Sequence, residues 1–326
     1  MEDHPRTPAG PARRCPDDPD LPGLAAATDE RSVRALLDRC GLEPGPVELR
    51  LHGHRPGRRA VVEVRTPAVR LFVKVVRPSA VAALAQRHRL LRAAGVPVPQ
   101  VLAAQDDGRL LLESLAGTSL RARLREGADP APSGSEVVEL LDLLPPSLCA
   151  LPRSASWAGA VATHAEATAR ALPGEADRCR QLAEGVRSAV DDDGPDEPVH
   201  GDLYDAQLLL SGGRITGLLD VDTAGPGRRA DDLACLLGHA HVLALSEPTH
   251  ARSTLALAAR WLAEFDRRVD PADLRARTAG VVVALATGPR RVAAADWELQ
   301  TRRRLDVAEQ WLAAAPDGLA PVRSSG

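Results

Sequence analysis

The sequence predicts an α+β protein in which an antiparallel sheet is followed by a larger, mainly helical region. Short apolar runs between turn residues occupy positions 47–115, a pattern typical of strands. Helix-length segments with apolar residues every three or four positions fill most of the chain after residue 135. One stretch interrupts these helices with a hairpin that carries Asp202 and Asp220. The length of 326 residues allows two lobes with cores of their own.

The first lobe is predicted at residues 29–116, after a tail at residues 1–28 that is rich in Pro, Asp, Arg and Ala and is expected to be disordered. Its turns are expected at Arg55-Pro56-Gly57 and Thr66-Pro67. Its elements are a helix at 29–40, strands at 47–52, 60–65 and 70–76, a helix at 79–94, and strands at 101–104 and 109–115.

The second lobe is predicted at residues 117–316. It begins where the strand pattern ends, and its helices show 3.6-residue periodicity. They are expected at 135–144, 160–171, 175–190, 232–245, 252–268, 271–286 and 294–314.

A single lysine stands out because every other one of the 41 Lys and Arg residues is arginine. Lys74 lies in the apolar run 70–76, which is typical of a buried strand. A compact ammonium can lie between two phosphates where a planar guanidinium does not fit. This residue is therefore a candidate phosphate ligand.

A second motif begins at Val199-His200-Gly201-Asp202 and continues through Gln207 to Asp220. The turn at residues 211–214 closes a hairpin that brings the two aspartates to one end of a site. The spacing suits phosphoryl transfer. One carboxylate orients an acceptor hydroxyl, while an amide oxygen and a second carboxylate hold Mg²⁺.

Together these motifs resemble the aminoglycoside phosphotransferase family of small-molecule kinases, from about residue 49 to residue 311. The resemblance implies a bilobal protein-kinase-like fold, Mg²⁺ as cofactor and ATP or GTP as phosphate donor. It implies that Asp202 is the catalytic base, that Gln207 and Asp220 bind the metal, and that Asp232 and His200 support the catalytic loop. It implies that Lys74 of the third strand binds the nucleotide phosphates and that Glu113 and Leu115 lie in the strand and hinge near the purine. Independently of the resemblance, Gly53 and Gly57 could let the first turn close over phosphates, although such glycines are more often turn residues only.

Two departures from the family pattern concern the metal and the lysine. Gln207 occupies the position of the family's asparagine; it offers the same amide oxygen on a longer stem. No acidic residue occurs between Glu63 and Asp106, so the helix after Lys74 lacks the glutamate that pairs with the lysine in the family. Gln86 is the nearest polar candidate in that helix, and a loosely held lysine is expected.

Composition excludes several classes of function. A net charge of −3 and dispersed arginines argue against nucleic-acid binding. No apolar run approaches membrane-spanning length, so no membrane partner is expected. The five cysteines are widely spaced, which indicates reduced thiols in a cytoplasmic protein. The oligomeric state stays open, a homodimer included.

The acceptor is expected to be a small-molecule hydroxyl. Antibiotic inactivation is the leading interpretation. The alternatives are a metabolic kinase for a sugar, amino sugar or amino alcohol, and a nucleotide-binding pseudokinase. A polycationic aminoglycoside would need converging acidic groups. The run at residues 191–193 is the upstream candidate, although such runs are more often solvated loops. Mixed charges in the last helices fit a neutral or weakly charged acceptor equally well.

Overall fold

The computed structural model describes residues 17–43, 45–127 and 131–315. Within these ranges the chain divides into two compact units. The first unit comprises the described residues up to Arg89 together with Pro99–Ser114. The second comprises Leu90–Val98 and the described residues from Leu115 onward.

The division differs from the predicted lobe boundary because the segment Leu90–Val98 belongs to the second unit. The backbone explains this difference. The carbonyl of Pro97 accepts a hydrogen bond of 2.8 Å from the N–H of Leu218. This bond ties the segment to a strand of the second unit, which no local sequence pattern reveals.

The first unit is built on a five-stranded antiparallel sheet in the order β1-β2-β3-β5-β4. Its strands alternate buried aliphatic residues with a second, more polar face, as the two-residue period of a strand requires. The strands are β1 Glu48–Arg55, β2 Arg59–Arg65, β3 Arg70–Val76, β4 Val101–Ala104 and β5 Arg109–Glu113. The helices that begin within it are α1 Gly23–Ala27, α2 Glu30–Arg39 and α3 Val81–Ala93.

Residues 17–28, which the composition predicts to be disordered, instead form an ordered segment that contains α1. Leu21, Leu24 and Ala27 are at most 1% exposed and pack into one core with α2 and the sheet. The prediction of disorder is therefore wrong for this segment. Averaged composition hides a short apolar stripe that can be buried only against other elements. The rest of the predicted tail, residues 1–16, lies outside the described residues.

The second unit contains most of the helices and two small antiparallel sheets, β6-β8-β9 and β7-β10. The strands are β6 Thr118–Ser119, β7 Glu197–Val199, β8 Leu208–Ser211, β9 Arg214–Leu218 and β10 Gly225–Gly227. The helices are α4 Leu120–Arg125, α5 Gly134–Asp142, α6 Val161–Ala171, α7 Ala176–Ala189, α8 Arg229–Ser246, α9 Ala251–Phe265, α10 Pro271–Leu285, α11 Gly288–Arg291 and α12 Trp297–Ala313.

Local signals set several helix starts in this unit. Ser133 and Glu136 form a capping box at the start of α5. Asp270 caps α10, with Pro271 at its first position, where the missing N–H costs nothing. Helix α8 is buried along most of its length, so it forms the centre of the helical unit.

The cysteines Cys40, Cys149, Cys179 and Cys235 are all free thiols. The other cysteine, Cys15, lies outside the described residues. Over the described ranges, none of the helices has both the length and the apolarity that a membrane crossing requires.

The acidic run at residues 191–193 lies in an exposed loop, as expected, and one of its carboxylates pairs with a buried arginine. Arg277 of α10 is 0% exposed and pairs with Asp192, Asp231 and Asp273, each at 2.8 Å. It also donates to the carbonyl of Asp191 at 2.6 Å. Burial raises the pKa of Asp231, and Arg277 opposes that rise. These acidic groups therefore stabilise the fold around a cation that the protein itself supplies.

We expect Arg277→Met to lower the free energy of unfolding by about 3–5 kcal/mol, because it leaves buried carboxylates without their cation. Chemical denaturation of this variant, of a control variant and of the wild type measures the change in the free energy of unfolding. Arg170→Met is the matched control. Arg170 pairs with Glu166 in solvent, and its loss should cost about 0.5 kcal/mol or less. Equal effects of the two substitutions would show that the buried cluster contributes nothing.

Candidate active site

The loop between β7 and β8 is held by one buried carboxylate. Asp232, in the first turn of α8, is 0% exposed. Its two oxygens accept the backbone N–H groups of His200 and Gly201, each at 2.7 Å. Burial raises the pKa of Asp232, while His200 and the two N–H groups oppose that rise. The loop that carries Asp202 is thereby fixed to the central helix.

A tight turn at Gly201 brings the loop close to the segment after β9. Gly201 has a φ of 82°, a conformation that favours glycine. A Cβ at this position would lie 2.9 Å from the carbonyl oxygen of Thr223. The Thr223 hydroxyl also donates to the carbonyl of His200 at 2.9 Å. Only glycine permits this approach of the two segments.

His200 links the segments that carry the two predicted catalytic aspartates. Its ring is fully buried. Nδ1 accepts the backbone N–H of Asp202 at 3.3 Å, so the neutral ring carries its proton on Nε2. Nε2 therefore donates to the carbonyl of Leu219 at 2.8 Å, one residue before Asp220. A single side chain thus sets the spacing between the two segments.

The predicted metal ligands Gln207 and Asp220 lie side by side. The Gln207 amide nitrogen is 3.4 Å from Asp220 Oδ2, and the backbone carbonyl of Gln207 accepts the N–H of Leu219 at 2.9 Å. Asp220 has a φ of 58° in the left-handed region, which aspartate tolerates better than most residues. An amide and a carboxylate at one place form the hard oxygen donor set that Mg²⁺ prefers. The residues therefore fit this ion.

Sequence reasoning missed an ion pair beneath the loop. Asp205 is 0% exposed and binds Arg121 of α4 through two hydrogen bonds, at 2.7 and 2.9 Å. The Arg121 guanidinium also lies 5.0 Å from the centre of the Tyr204 ring. Asp205 lies inside the motif and could have been noticed. Its partner is 84 residues away in sequence, and no local signal marks it.

Two residues of α8, Cys235 and His239, approach the candidate base. The Cys235 thiol lies 4.0 Å from Asp202 Oδ1, and a His239 ring nitrogen lies within 4.8 Å of both groups. His239 stacks on Tyr204 with 4.3 Å between ring centres. Burial lowers the pKa of His239 to about 4, so the ring is neutral at neutral pH. Its Nε2 is buried and has no hydrogen-bond partner among the described residues.

In the first unit, Lys74 occupies the middle of β3, opposite Val61 of β2 and Leu110 of β5. It is 6% exposed and interacts with other groups of the protein. The burial of this strand is as expected, and the ordering of the lysine by nucleotide stays a prediction. Burial in the central strands restricts the side chain without a carboxylate from the following helix.

Helix α3 does not offer Gln86 to the sheet, because Gln86 is exposed. The buried polar residues of α3 are Arg87 and His88. His88 Nδ1 bonds to the carbonyl oxygen of Pro99 at 2.8 Å. The helix is thus positioned by its packing face and by this bond. The glutamine suggested as a substitute for the family's glutamate points elsewhere.

Glu63 lies on the same face of the sheet as Lys74, two positions from the residue opposite the lysine. It accepts hydrogen bonds from Arg65 and Arg70 and bonds to His52. Burial would raise the pKa of Glu63, but these three partners outweigh it and lower the pKa to about 2.

The first turn follows Arg55, as expected, but Gly53 lies within β1 rather than near the turn. No atom lies within 4 Å of a Cβ built on Gly53. At the turn, the N–H of Gly57 donates to Asp18 at 2.9 Å, and His54 bonds to the same carboxylate oxygen at 2.8 Å. The ordered N-terminal segment thus holds the tip of this hairpin.

Within the predicted purine-binding segment the chain passes from the first unit to the second, between Ser114 and Leu115. Glu113 ends β5, and its N–H donates to the carbonyl of Gln100 at 2.9 Å. Leu115 belongs to the second unit, where its side chain lies over Gly217.

These features define a phosphotransferase with an aspartate-bearing loop, an adjacent amide–carboxylate pair and a strand lysine. The model of the phosphotransferase enzyme family matches residues 51–269. The match covers well over half of the 326 residues, so the chain belongs to this family and is a small-molecule phosphotransferase. No curated protein matches the sequence.

Solved structures show the same fold. A thermostable mutant of aminoglycoside phosphotransferase APH(4)-Ia, in its apo form, is 16% identical with a TM-score of 0.57; the alignment covers 86% of this chain and 98% of that one. Its ternary complex with ADP and hygromycin B is 14% identical with a TM-score of 0.57, covering 87% and 99%. An aminoglycoside phosphotransferase homologue from Ralstonia eutropha JMP134 is 14% identical with a TM-score of 0.53, covering 89% and 99%. The predicted bilobal, protein-kinase-like α+β fold is thereby confirmed.

We expect Asp232→Asn to reduce turnover at least ~10-fold and the free energy of unfolding by about 1–3 kcal/mol, because the amide keeps one acceptor oxygen and turns a donor toward a backbone N–H. Steady-state rates and chemical denaturation measure the two effects. Asp193→Asn, at an exposed position, is the control and should change neither. Normal turnover in Asp232→Asn would show that the loop does not need this carboxylate.

Proposed function

We propose that this phosphotransferase transfers the γ-phosphoryl group of ATP or GTP to a hydroxyl of a small molecule, with an antibiotic as the leading acceptor class. The observation that carries the proposal is the loop of Asp202, which a buried carboxylate and a buried histidine hold beside Gln207 and Asp220. The ADP and hygromycin B in the APH(4)-Ia complex support a nucleotide donor and an antibiotic acceptor.

On the donor side, Lys74 would neutralise the phosphates of the nucleotide. Its burial between two strands lets a point charge act in a region of low dielectric constant, where it is stronger than in water. The backbone of Glu113 and Leu115 would meet the purine. The N–H of Glu113 donates to the carbonyl of Gln100, so this N–H is already used within the protein. Gly53 would add backbone close to the phosphates.

On the acceptor side, Asp202 would accept the proton of the attacking hydroxyl. His239 would help to orient that hydroxyl. Its Nδ1 lies 3.5 Å from the Arg121 guanidinium, which can only donate, so Nε2 carries the proton and is a donor. A hydroxyl between the two residues could donate to the carboxylate and accept from the imidazole.

Gln207 and Asp220 would hold Mg²⁺. When bound, this ion neutralises charge on the donor phosphates. Gln207 is 5% exposed, and its side-chain amide nitrogen donates to Asp220 Oδ2 at 3.4 Å. Burial and this hydrogen bond would hold the longer stem of glutamine in place, so that it can serve where the family uses asparagine.

An acceptor of low positive charge fits better than a polycationic aminoglycoside. In the acidic run at residues 191–193, the upstream candidate for binding cations, the Asp192 carboxylate pairs with Arg277. Asp205 is likewise paired, with Arg121. These two carboxylates are therefore already balanced by arginines of the protein.

An acceptor screen tests the proposal. The purified protein is incubated with Mg²⁺ and ATP or GTP against antibiotics and against sugars, amino sugars and amino alcohols, and nucleotide consumption and product mass are measured. Phosphorylated antibiotic supports the leading proposal. Transfer only to metabolites identifies a metabolic kinase. Nucleotide binding without transfer to any acceptor identifies a pseudokinase and refutes the proposal.

We expect Asp202→Asn to lower kcat at least ~10²-fold, because the amide cannot accept the proton of the acceptor. Nucleotide affinity should change little, and calorimetry with ADP provides this internal control. A variant that loses nucleotide affinity but keeps its kcat would place Asp202 on the donor side instead.

We expect Lys74→Arg to be almost as damaging as Lys74→Ala, because the guanidinium retains the charge but not the compact geometry. Steady-state kinetics should show the loss in both variants. Arg59→Lys, at the start of the neighbouring strand, is the control and should leave turnover unchanged. Full activity in Lys74→Ala would remove Lys74 from the mechanism.

A further inference from the structure

Arg304 of α12 is a buried cation whose contacts are unusually weak. It is 6% exposed. Its two terminal nitrogens meet only neutral acceptors, the carbonyl of Leu285 at 3.4 Å and the hydroxyl of Ser246 at 3.2 Å. Its Nε is buried and has no partner among the described residues. Burial first, and Arg291 second, lower the pKa of Arg304 to about 10.

A second guanidinium converges on the same place. A Cβ built on Gly288 would lie 3.2 Å from Arg304 NH1 and 3.8 Å from Arg291 NH2. Both cations therefore lie within 4 Å of one point. Because Gly288 has no side chain, the space next to its backbone is open to both guanidinium groups.

Within residues 17–43, 45–127 and 131–315, neither guanidinium forms an ion pair with a carboxylate. Arg277, which is also buried, differs from Arg304 because it pairs with three carboxylates. A buried charge without a counterion is costly, and two adjacent like charges add to that cost. An anion placed between the two groups would remove both penalties and gain charge-assisted hydrogen bonds.

Helix α8 connects these two arginines to His239, which lies beside Asp202 in the proposed acceptor site. Ser246, which Arg304 contacts, is seven residues after His239 on α8, and residues seven apart lie on the same helix face. At 1.5 Å per residue they are about 10 Å apart. Val242 lies between them on that face, and all three residues are at least partly exposed. An accessible stripe of α8 thus runs from His239 to the two arginines.

We propose that Arg304 and Arg291 form a subsite for an anionic group, a carboxylate or a phosphate, of the acceptor substrate. The acceptor would place its hydroxyl at Asp202 and its anionic group about two helical turns away along α8. This assignment of the acceptor rests on the proposed phosphotransfer to a hydroxyl. The anion subsite itself does not, because it follows from the two arginines alone.

Inorganic phosphate tests the subsite without nucleotide or acceptor. Thermal unfolding is followed as phosphate replaces chloride at constant ionic strength, in the wild type, Arg304→Met, Arg304→Lys and Arg303→Met. We expect phosphate to raise the Tm of the wild type and its apparent affinity to fall at least ~10-fold in Arg304→Met. Arg304→Lys should keep part of the effect.

Arg303→Met is the matched control, since Arg303 is its exposed neighbour on the same helix. It should respond to phosphate like the wild type. Without phosphate, Arg304→Met should melt no lower than the wild type, because it removes an uncompensated buried charge. A Tm that falls in Arg304→Met without phosphate, or the same phosphate response in this variant and the wild type, would overturn the subsite.

A second measurement separates an acceptor group from a free regulatory anion. Hydroxyl compounds with a free carboxylate are compared with their amides as acceptors. The wild type should show a KM at least ~10-fold lower for the carboxylate, and Arg304→Met should lose that preference without a matching loss of kcat. Phosphate binding with no such preference would overturn the acceptor assignment and indicate a regulatory anion. Absence of transfer to any acceptor would refute the proposed function, while the phosphate titration would still decide the subsite.

Discussion

The candidate active site in the second unit depends on the carboxylate of Asp232. It lies in the first turn of the central helix and accepts two backbone N–H groups of the loop, so loop and helix cannot move independently. Burial would push this group toward its neutral form, and the two donors together with His200 oppose that tendency. The positions of Asp202 and Gln207 follow from this anchoring. The helix that receives it also carries Cys235 and His239 toward the same loop.

His200 extends that constraint to the second aspartate. Because one ring nitrogen accepts from Asp202 and the other donates to Leu219, the imidazole fixes both segments and its own tautomer. A lysine or arginine could not replace it, since neither can accept a hydrogen bond. Glycine is required at position 201 because the two segments lie close together there. A side chain at this position would collide with the backbone of Thr223.

Two buried arginines show how the helical unit treats charge. Arg277 is surrounded by carboxylates from three parts of the chain, and the resulting cluster is internally balanced. Arg304 is nearly as buried but faces a hydroxyl and a carbonyl, with Arg291 close by. A buried cation that stabilises the fold requires carboxylate partners of the kind that Arg277 has. The arrangement around Arg304 leaves positive charge on a surface that α8 connects to the catalytic loop.

The sequence by itself determined the antiparallel sheet, most of the longer helices and the family motifs. These depend on local periodicity, turn residues and motif spacing, which a single chain displays directly. Only the tertiary structure decided that residues 17–28 are ordered, that Gln86 is exposed and that Asp192 of the acidic run pairs with the buried Arg277. Each of these outcomes depends on partners distant in sequence. Arg121 and Asp205 illustrate the reason, since burial and charge pairing are properties of neighbours in space, and nothing near either residue in the chain indicates the other.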